Sequence, residues 1–375
     1  MRSWKSLTQL TPLSLSLSLS PSLPVISPAW FRSMHATASQ AAHVAPILGT
    51  GPPPEPPTPA VRNTTERIER RRKQAHLLRQ AKIIRNAKDG KSTTLRKRFW
   101  NSVSVEEVDG ALQIFLDTRP LRHPQTKEII QVPLSKPNLA FALALEWDTL
   151  TSAQQSTKQH LIPLTSLVCR ALDIKDDDAA EHSEAGKIRN DITANVLRYL
   201  DTDSLLCWAP PAGRYDLRND AGESLRDVQK RTTNDIVSFM TTHVWPGIKL
   251  EPVLDGDAIF PRKQAEGVRE VVQGWVSGLT AWEIAGLERA VLAGKSLVAA
   301  ARFIAEWSEG PAKRPQLSED GQFGVEQAAK TVNLEVDWQV TQWGEVEDTH
   351  DVNNEDLRRQ LGSVVLLVSG TGKEI

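Results

Sequence analysis

The sequence predicts an α+β protein in which a few strands come first and helices follow. Three observations carry this. Asp109-Gly110 separates two runs of alternating apolar residues. Helical spacing replaces that alternation after Pro163. Later apolar stretches are divided by short breaks, Gly278-Leu279-Thr280 and Gly294-Lys295-Ser296, which combine a helix stop with a helix cap.

Val103, Val105 and Val108 precede the Asp-Gly pair, and Leu112, Ile114 and Leu116 follow it. A two-residue type I′ turn needs positive φ at both central positions, which this pair tolerates, so a hairpin is predicted. Arg119-Pro120-Leu121 and Ile129-Ile130-Gln131-Val132 read as further short strands. Asn138 is the expected N-cap of a helix over 139–148. Pro163 suits a first helical turn, with Leu164, Leu167, Val168, Ala171 and Leu172 at helical spacing behind it. Further helices are expected over 188–200, 224–243, 261–278, 280–293, 296–308 and 323–342. The Pro- and Gly-containing segment 309–322 is expected to be an exposed loop, and 364–368 a strand or a buried tail.

The segments before the fold differ in kind. Residues 1–54 hold no Asp or Glu, and their cations are Arg2, Lys5 and Arg32 among many Ser and Thr. The alternating Leu-Ser run over 13–20 is not the continuous apolar block of a secretory signal, and Pro12, Pro21 and Pro24 interrupt it. Residues 1–40 therefore read as a mitochondrial transit peptide. Residues 41–96 form a Pro-rich linker and a basic arm, 97–162 a small α+β domain, and 163–375 a mainly helical domain. The net charge of −1 conceals an asymmetry: residues 62–98 carry about +11 and 99–375 about −14. The arm is expected to be helical over 64–88, with Thr65 as candidate N-cap and a cationic run Arg70-Arg71-Arg72-Lys73. Such a segment suits RNA, anionic lipid or an acidic partner. No aromatic residues interleave its charges as base stacking requires, which favours a solvated tether. No apolar run approaches the ~20 residues that span a bilayer, so stable membrane insertion is not expected. Cys169 and Cys207 have no zinc-type spacing; buried thiols are expected, with a single disulfide between them left open.

Near the C-terminus, Trp343-Gly344-Glu345-Val346-Glu347-Asp348-Thr349-His350-Asp351 gathers charge and one histidine behind an aromatic residue. Glu347, Asp348, His350 and Asp351 can be read as a metal or acid/base cluster, but no distant His or Cys supplies the converging ligand such a site needs. Charged residues around an aromatic anchor are what a protein interface requires, and that reading is preferred. Gly370-Thr371-Gly372-Lys373 lacks the earlier Gly, the following Ser or Thr and the following helix of a phosphate loop.

An ordered set of segments resembles a known family. These are Lys97-Arg98-Phe99-Trp100 with the hairpin; Arg119-Pro120-Leu121-Arg122; Glu146-Trp147-Asp148; Pro163-Leu164-Thr165-Ser166-Leu167 with Ala171 and Asp173; Tyr199-Leu200-Asp201-Thr202-Asp203; and the motif from Trp343 to Asp351. They resemble the mitochondrial and alphaproteobacterial chaperones that assemble the catalytic sector of F-type ATP synthase by holding its free alpha subunit. The resemblance implies a small α+β domain followed by an orthogonal helical bundle, no cofactor, no enzymatic activity, and residence in the mitochondrial matrix. It implies partner binding by Trp343, Gly344, Glu345, Glu347, His350 and Asp351, with Glu347 chosen as critical. It makes Glu146, Trp147 and Asp148 a structural motif, Trp147 being assigned to the core by its apolar neighbours. Asn353-Asn354 departs from the expected acidic continuation. The alternative is a mitochondrial RNA- or membrane-associated protein that acts through the basic arm.

Overall fold

The computed structural model describes residues 98–180, 186–256, 258–314, 322–346 and 348–371, with Arg71, Arg72, Lys73, Ala75, His76 and Arg79 of the arm, all six helical. The expected transit peptide, Pro-rich linker and Thr65 cap lie outside the described residues, as do Glu347 and positions 315–321 of the expected loop.

Strands β1 (Val103–Val108) and β2 (Ala111–Leu116) pair antiparallel with Val103 opposite Leu116. Their turn holds Asp109 at φ 53° and Gly110 at φ 75°, the geometry that the Asp-Gly pair predicts. β2 is central: β3 (Arg119–Pro120) pairs with its end and β4 (Gln131–Pro133) with its start. Helix α1 (Pro137–Thr149) covers the sheet, and Ile114, Leu116, Val132, Leu139, Leu143 and Trp147 belong to one core. Asn138 is not its cap. Pro137 takes the first turn, where a missing N–H costs nothing, and Lys136 stands at the N-cap.

The Lys136 side chain does not cap this helix and turns to other elements. Its buried ammonium donates to the carbonyl oxygens of Val368 (3.2 Å) and Ser369 (3.1 Å) and lies 2.6 Å from Glu309 Oε1. Burial lowers its pKa, and Glu309 opposes the shift.

The remaining described residues form helices joined by turns and loops, with a two-residue parallel pairing of β5 (Cys207–Trp208) and β6 (Leu254–Asp255) that the sequence does not predict. In order come α2 (Pro163–Ala179), α3 (Lys187–Val196), α4 (Leu225–Phe239), α5 (Val268–Ser277), α6 (Ala281–Gly294) and α7 (Leu297–Trp307). They are followed by α8 (Val325–Val332), α9 (Leu334–Trp343) and α10 (His350–Val368). Ser224 with Asp227 and Thr280 with Glu283 form reciprocal capping boxes, and Ser296 caps α7. The Cys169 and Cys207 thiols are both free, so the disulfide left open by the sequence is not formed.

Four expectations require correction. Helix α5 begins at Val268 rather than 261, behind Gly267 at φ 83°. The helix expected over 323–342 is two helices broken at Asn333. Residues 364–368 are not a strand; they are buried in part, as the alternative of a buried tail expected, but as the end of α10, whose apolar side chains would fit either periodicity over so short a run. The start of the expected loop is anchored: Ala312 is buried and donates its N–H to Glu283 Oε1 at 2.9 Å, and Arg314 donates to the Ala305 carbonyl at 2.8 Å.

Helix α6 packs against both α10 and α7, and Gly286 marks a close approach. A Cβ added at Gly286 would stand 2.7 Å from Val368 Cγ1 and 3.3 Å from Ile304 Cδ1. Replacing Gly286 with valine is therefore expected to destabilise the fold by about 1–3 kcal/mol through overpacking, measurable as a lower urea midpoint.

Candidate partner-binding site

The C-terminal motif is a helix–turn–helix corner. Trp343 is the last residue of α9 and is 53% exposed. Gly344 follows at φ 89° with its N–H on the Val340 carbonyl at 2.9 Å, so the chain turns where a side chain would be strained. Val346 lies exposed in the turn and donates its N–H to His350 Nδ1 at 3.2 Å. His350 donates its own N–H back to the Val346 carbonyl at 3.1 Å. This reciprocal pair fixes the imidazole at the start of α10 as a turn-closing group. Asp351 follows in the first helical turn, where a carboxylate is favoured by the helix dipole. Its Oδ2 accepts a hydrogen bond from Arg71 Nη2 at 2.7 Å, and its side chain is only 12% exposed.

Trp343, Gly344, Glu345, His350 and Asp351 thus share one corner, and Glu347 lies outside the described residues. Asn354, one of the two residues that depart from the acidic pattern, accepts a hydrogen bond from Asn333 Nδ2 at 2.6 Å. A neutral side chain there ties α10 to the break between α8 and α9.

The Glu146-Trp147-Asp148 triplet lies elsewhere and has another task. Helix α2 has no side-chain cap of its own, because Ile162 stands at its N-cap. Glu146 supplies the missing acceptor: it receives the N–H groups of Leu164 (2.9 Å) and Thr165 (3.0 Å) and the Thr165 hydroxyl (2.6 Å). Burial raises the Glu146 pKa, while those hydrogen bonds and the Arg359 guanidinium from α10 oppose the shift. Trp147 is buried and donates Nε1–H to Thr165 Oγ1 at 2.9 Å. Asp148 holds Arg98 at 3.2 Å. The core assignment of Trp147 agrees with the structure.

Sequence reading missed the carboxylate of Asp203. It is fully buried and accepts the N–H groups of Leu205 (3.0 Å) and Val298 (2.9 Å), with the Ser296 hydroxyl and Leu297 N–H also directed to it. Its pKa is raised to about 6 by burial, against those hydrogen bonds. The signal was present as an acid in Asp201-Thr202-Asp203, but nothing in the sequence joins it to Ser296.

A cleft of about 790 Å³ opens beside Trp147, between His123 and α2 and α6. Several of its polar groups are engaged with neighbours, although His123 Nε2 makes no hydrogen bond. His123 Nδ1 accepts the N–H groups of Gln125 and Thr126 while Nε2 lies 3.4 Å from Asp173, and Arg170 grips Glu288 through two 2.9 Å hydrogen bonds. Burial pushes the Cys169 thiol up to about 12, which removes it as a nucleophile at neutral pH. Among the described residues no group of three or more His, Cys, Asp or Glu is placed to hold a metal, and no helix is long and apolar enough to cross a membrane.

Comparison with known proteins gives a consistent result. Residues 97–241 match the family described as ATP12 chaperone protein. The chain is 32% identical over 274 residues to "Protein atp12, mitochondrial" of Schizosaccharomyces pombe, covering 72% of this chain and 81% of that protein. It is 33% identical over 282 residues to "Protein ATP12, mitochondrial" of Saccharomyces cerevisiae, covering 72% and 83% respectively. Among solved structures, Atp12 from Paracoccus denitrificans superposes with a TM-score of 0.50 at 19% identity, covering 72% of this chain and 98% of that one, and shares the α+β fold.

Proposed function

Because the chain belongs to the ATP12 chaperone family, we propose that it assembles the catalytic sector of mitochondrial ATP synthase by holding the free alpha subunit in the matrix. Residues 1–40 act as the address. The observation that supports the site is the corner at 343–351, where exposed Trp343 and Val346 stand beside Asp348, His350 and Asp351. Unassembled subunits expose surface meant for a partner and aggregate through it. An aromatic and aliphatic anchor rimmed by acids can cover such a surface where it is flanked by basic residues. Release follows competition: the beta subunit makes the larger contact and displaces the chaperone, so no nucleotide hydrolysis or other chemistry is needed.

The test is light scattering of purified alpha subunit diluted from denaturant, with and without the full chain. Suppression at equimolar ratio is expected, and it should weaken about tenfold or more in Glu347→Lys because a reversed charge repels the basic rim of the client. Raising salt from about 0.05 to 0.5 M should weaken the complex as screening shortens the reach of these charges. Equal suppression by both forms at every salt concentration would remove the acidic corner from the mechanism. Failure of the natural chain to suppress would remove the client.

A further inference from the structure

We propose that the acidic corner is a receptor for a basic helical segment, and that the chain's own arm occupies it in cis until a client displaces it. This rests on the reading of the corner as the client site. Three observations converge. Arg71 and Asp351 lie 280 positions apart, yet their side chains form a 2.7 Å ion pair at the first turn of α10. Arg71 belongs to the run Arg70-Arg71-Arg72-Lys73, and its described members are helical and exposed. The arm is the basic part of a chain whose remainder is strongly acidic, so this complementarity extends beyond one pair.

The contact divides the corner into two parts. Asp351 is covered, whereas Trp343, Val346 and Val352 remain exposed. A client can therefore seat apolar side chains on the open half first and then exchange its own cations for Arg71. Occupation in cis is favoured by tethering: a linked segment acts at an effective concentration on the order of mM, so even a weak contact is populated. A client must overcome that population, and its apparent affinity falls by the fraction of corners left open. The device lowers binding of casual basic peptides, which lack the apolar anchor, more than binding of a true client.

Hydrogen–deuterium exchange on the full chain tests the contact. Asp351→Lys should speed amide exchange over residues 71–79 several-fold, and the double swap Arg71→Glu with Asp351→Lys should restore it. Arg71→Glu alone should bind purified alpha subunit several-fold more tightly than the natural chain. Arm exchange that is indifferent to Asp351→Lys overturns the cis contact, and unchanged or weaker client binding by Arg71→Glu overturns the competition. If no form binds alpha subunit, the client reading falls, and the exchange comparison still decides whether the arm sits on α10.

Discussion

Replacing Trp147 with alanine should destabilise the protein by about 3–5 kcal/mol, the usual result of deleting a large buried aromatic side chain. The melting temperature should fall by roughly 10 °C for a chain of this size. The effect exceeds lost packing because Trp147 belongs to a relay. Its Nε1–H donates to Thr165, the Thr165 hydroxyl donates to Glu146, and Glu146 caps α2 in place of the apolar Ile162. Truncation opens a cavity between α1 and α2 and loosens the cap together. Trp147→Phe keeps most of the apolar contact with Trp100, whose ring centroid lies 5.4 Å away, and loses the single donor, so it should cost about 1–2 kcal/mol. Thermal denaturation followed by circular dichroism separates the two variants. A Trp147→Ala protein that melts normally but no longer holds a client would make this residue a contact and contradict its place in the core.

Asp203→Ala should be comparably severe, at about 3 kcal/mol or more, because it strands buried donors from Leu205, Val298, Leu297 and Ser296. The same carboxylate makes a distinct pH prediction. Its pKa is about 6 in the fold against an ordinary value of 3.8, so between about pH 4 and 6 the folded state binds the proton that the unfolded chain releases. Stability contributed by this group is therefore greatest at the acidic end and declines by up to about 3 kcal/mol as pH rises to 6, after which it is flat. Asp203→Asn carries no titrating proton and should lose that slope. Urea titrations at pH 4.5, 5.5 and 7 compare the natural chain with the Asp203→Asn variant; parallel profiles for the two would show that the carboxylate titrates normally.

The legible and illegible parts of this molecule differ in the range of the interactions behind them. The hairpin could be read because Asp109-Gly110 encodes its own backbone geometry. The helix starts at Thr280 and Ser296 could be read because the capping group is local to the turn it caps, and the start at Pro163 because proline itself suits the first turn. Asn138 misled because Pro137 takes the first turn and leaves the N-cap to Lys136, whose side chain answers to carbonyls of Val368 and Ser369 more than two hundred positions away. Asp203 and Glu146 escaped for the same reason: each caps a helix that begins far along the chain or in another element. The short apolar run at 364–368 was ambiguous because five consecutive apolar residues carry no periodicity. At the candidate site, the motif named the residues, but the engagement of Asp351 by Arg71 required the folded chain.

The ammonium of Lys136 bears on how the polypeptide matures. Two of its three partners are carbonyls at the end of α10, and the third is Glu309, so its environment is complete only once residues 368 and 369 are in place. Before that point water solvates the ammonium better than a partly built core does, which disfavours early burial of Lys136. The same dependence means that a chain lacking residues 368 and 369 would leave Lys136 with Glu309 alone, so the sheet layer should lose stability although it lies far away in sequence.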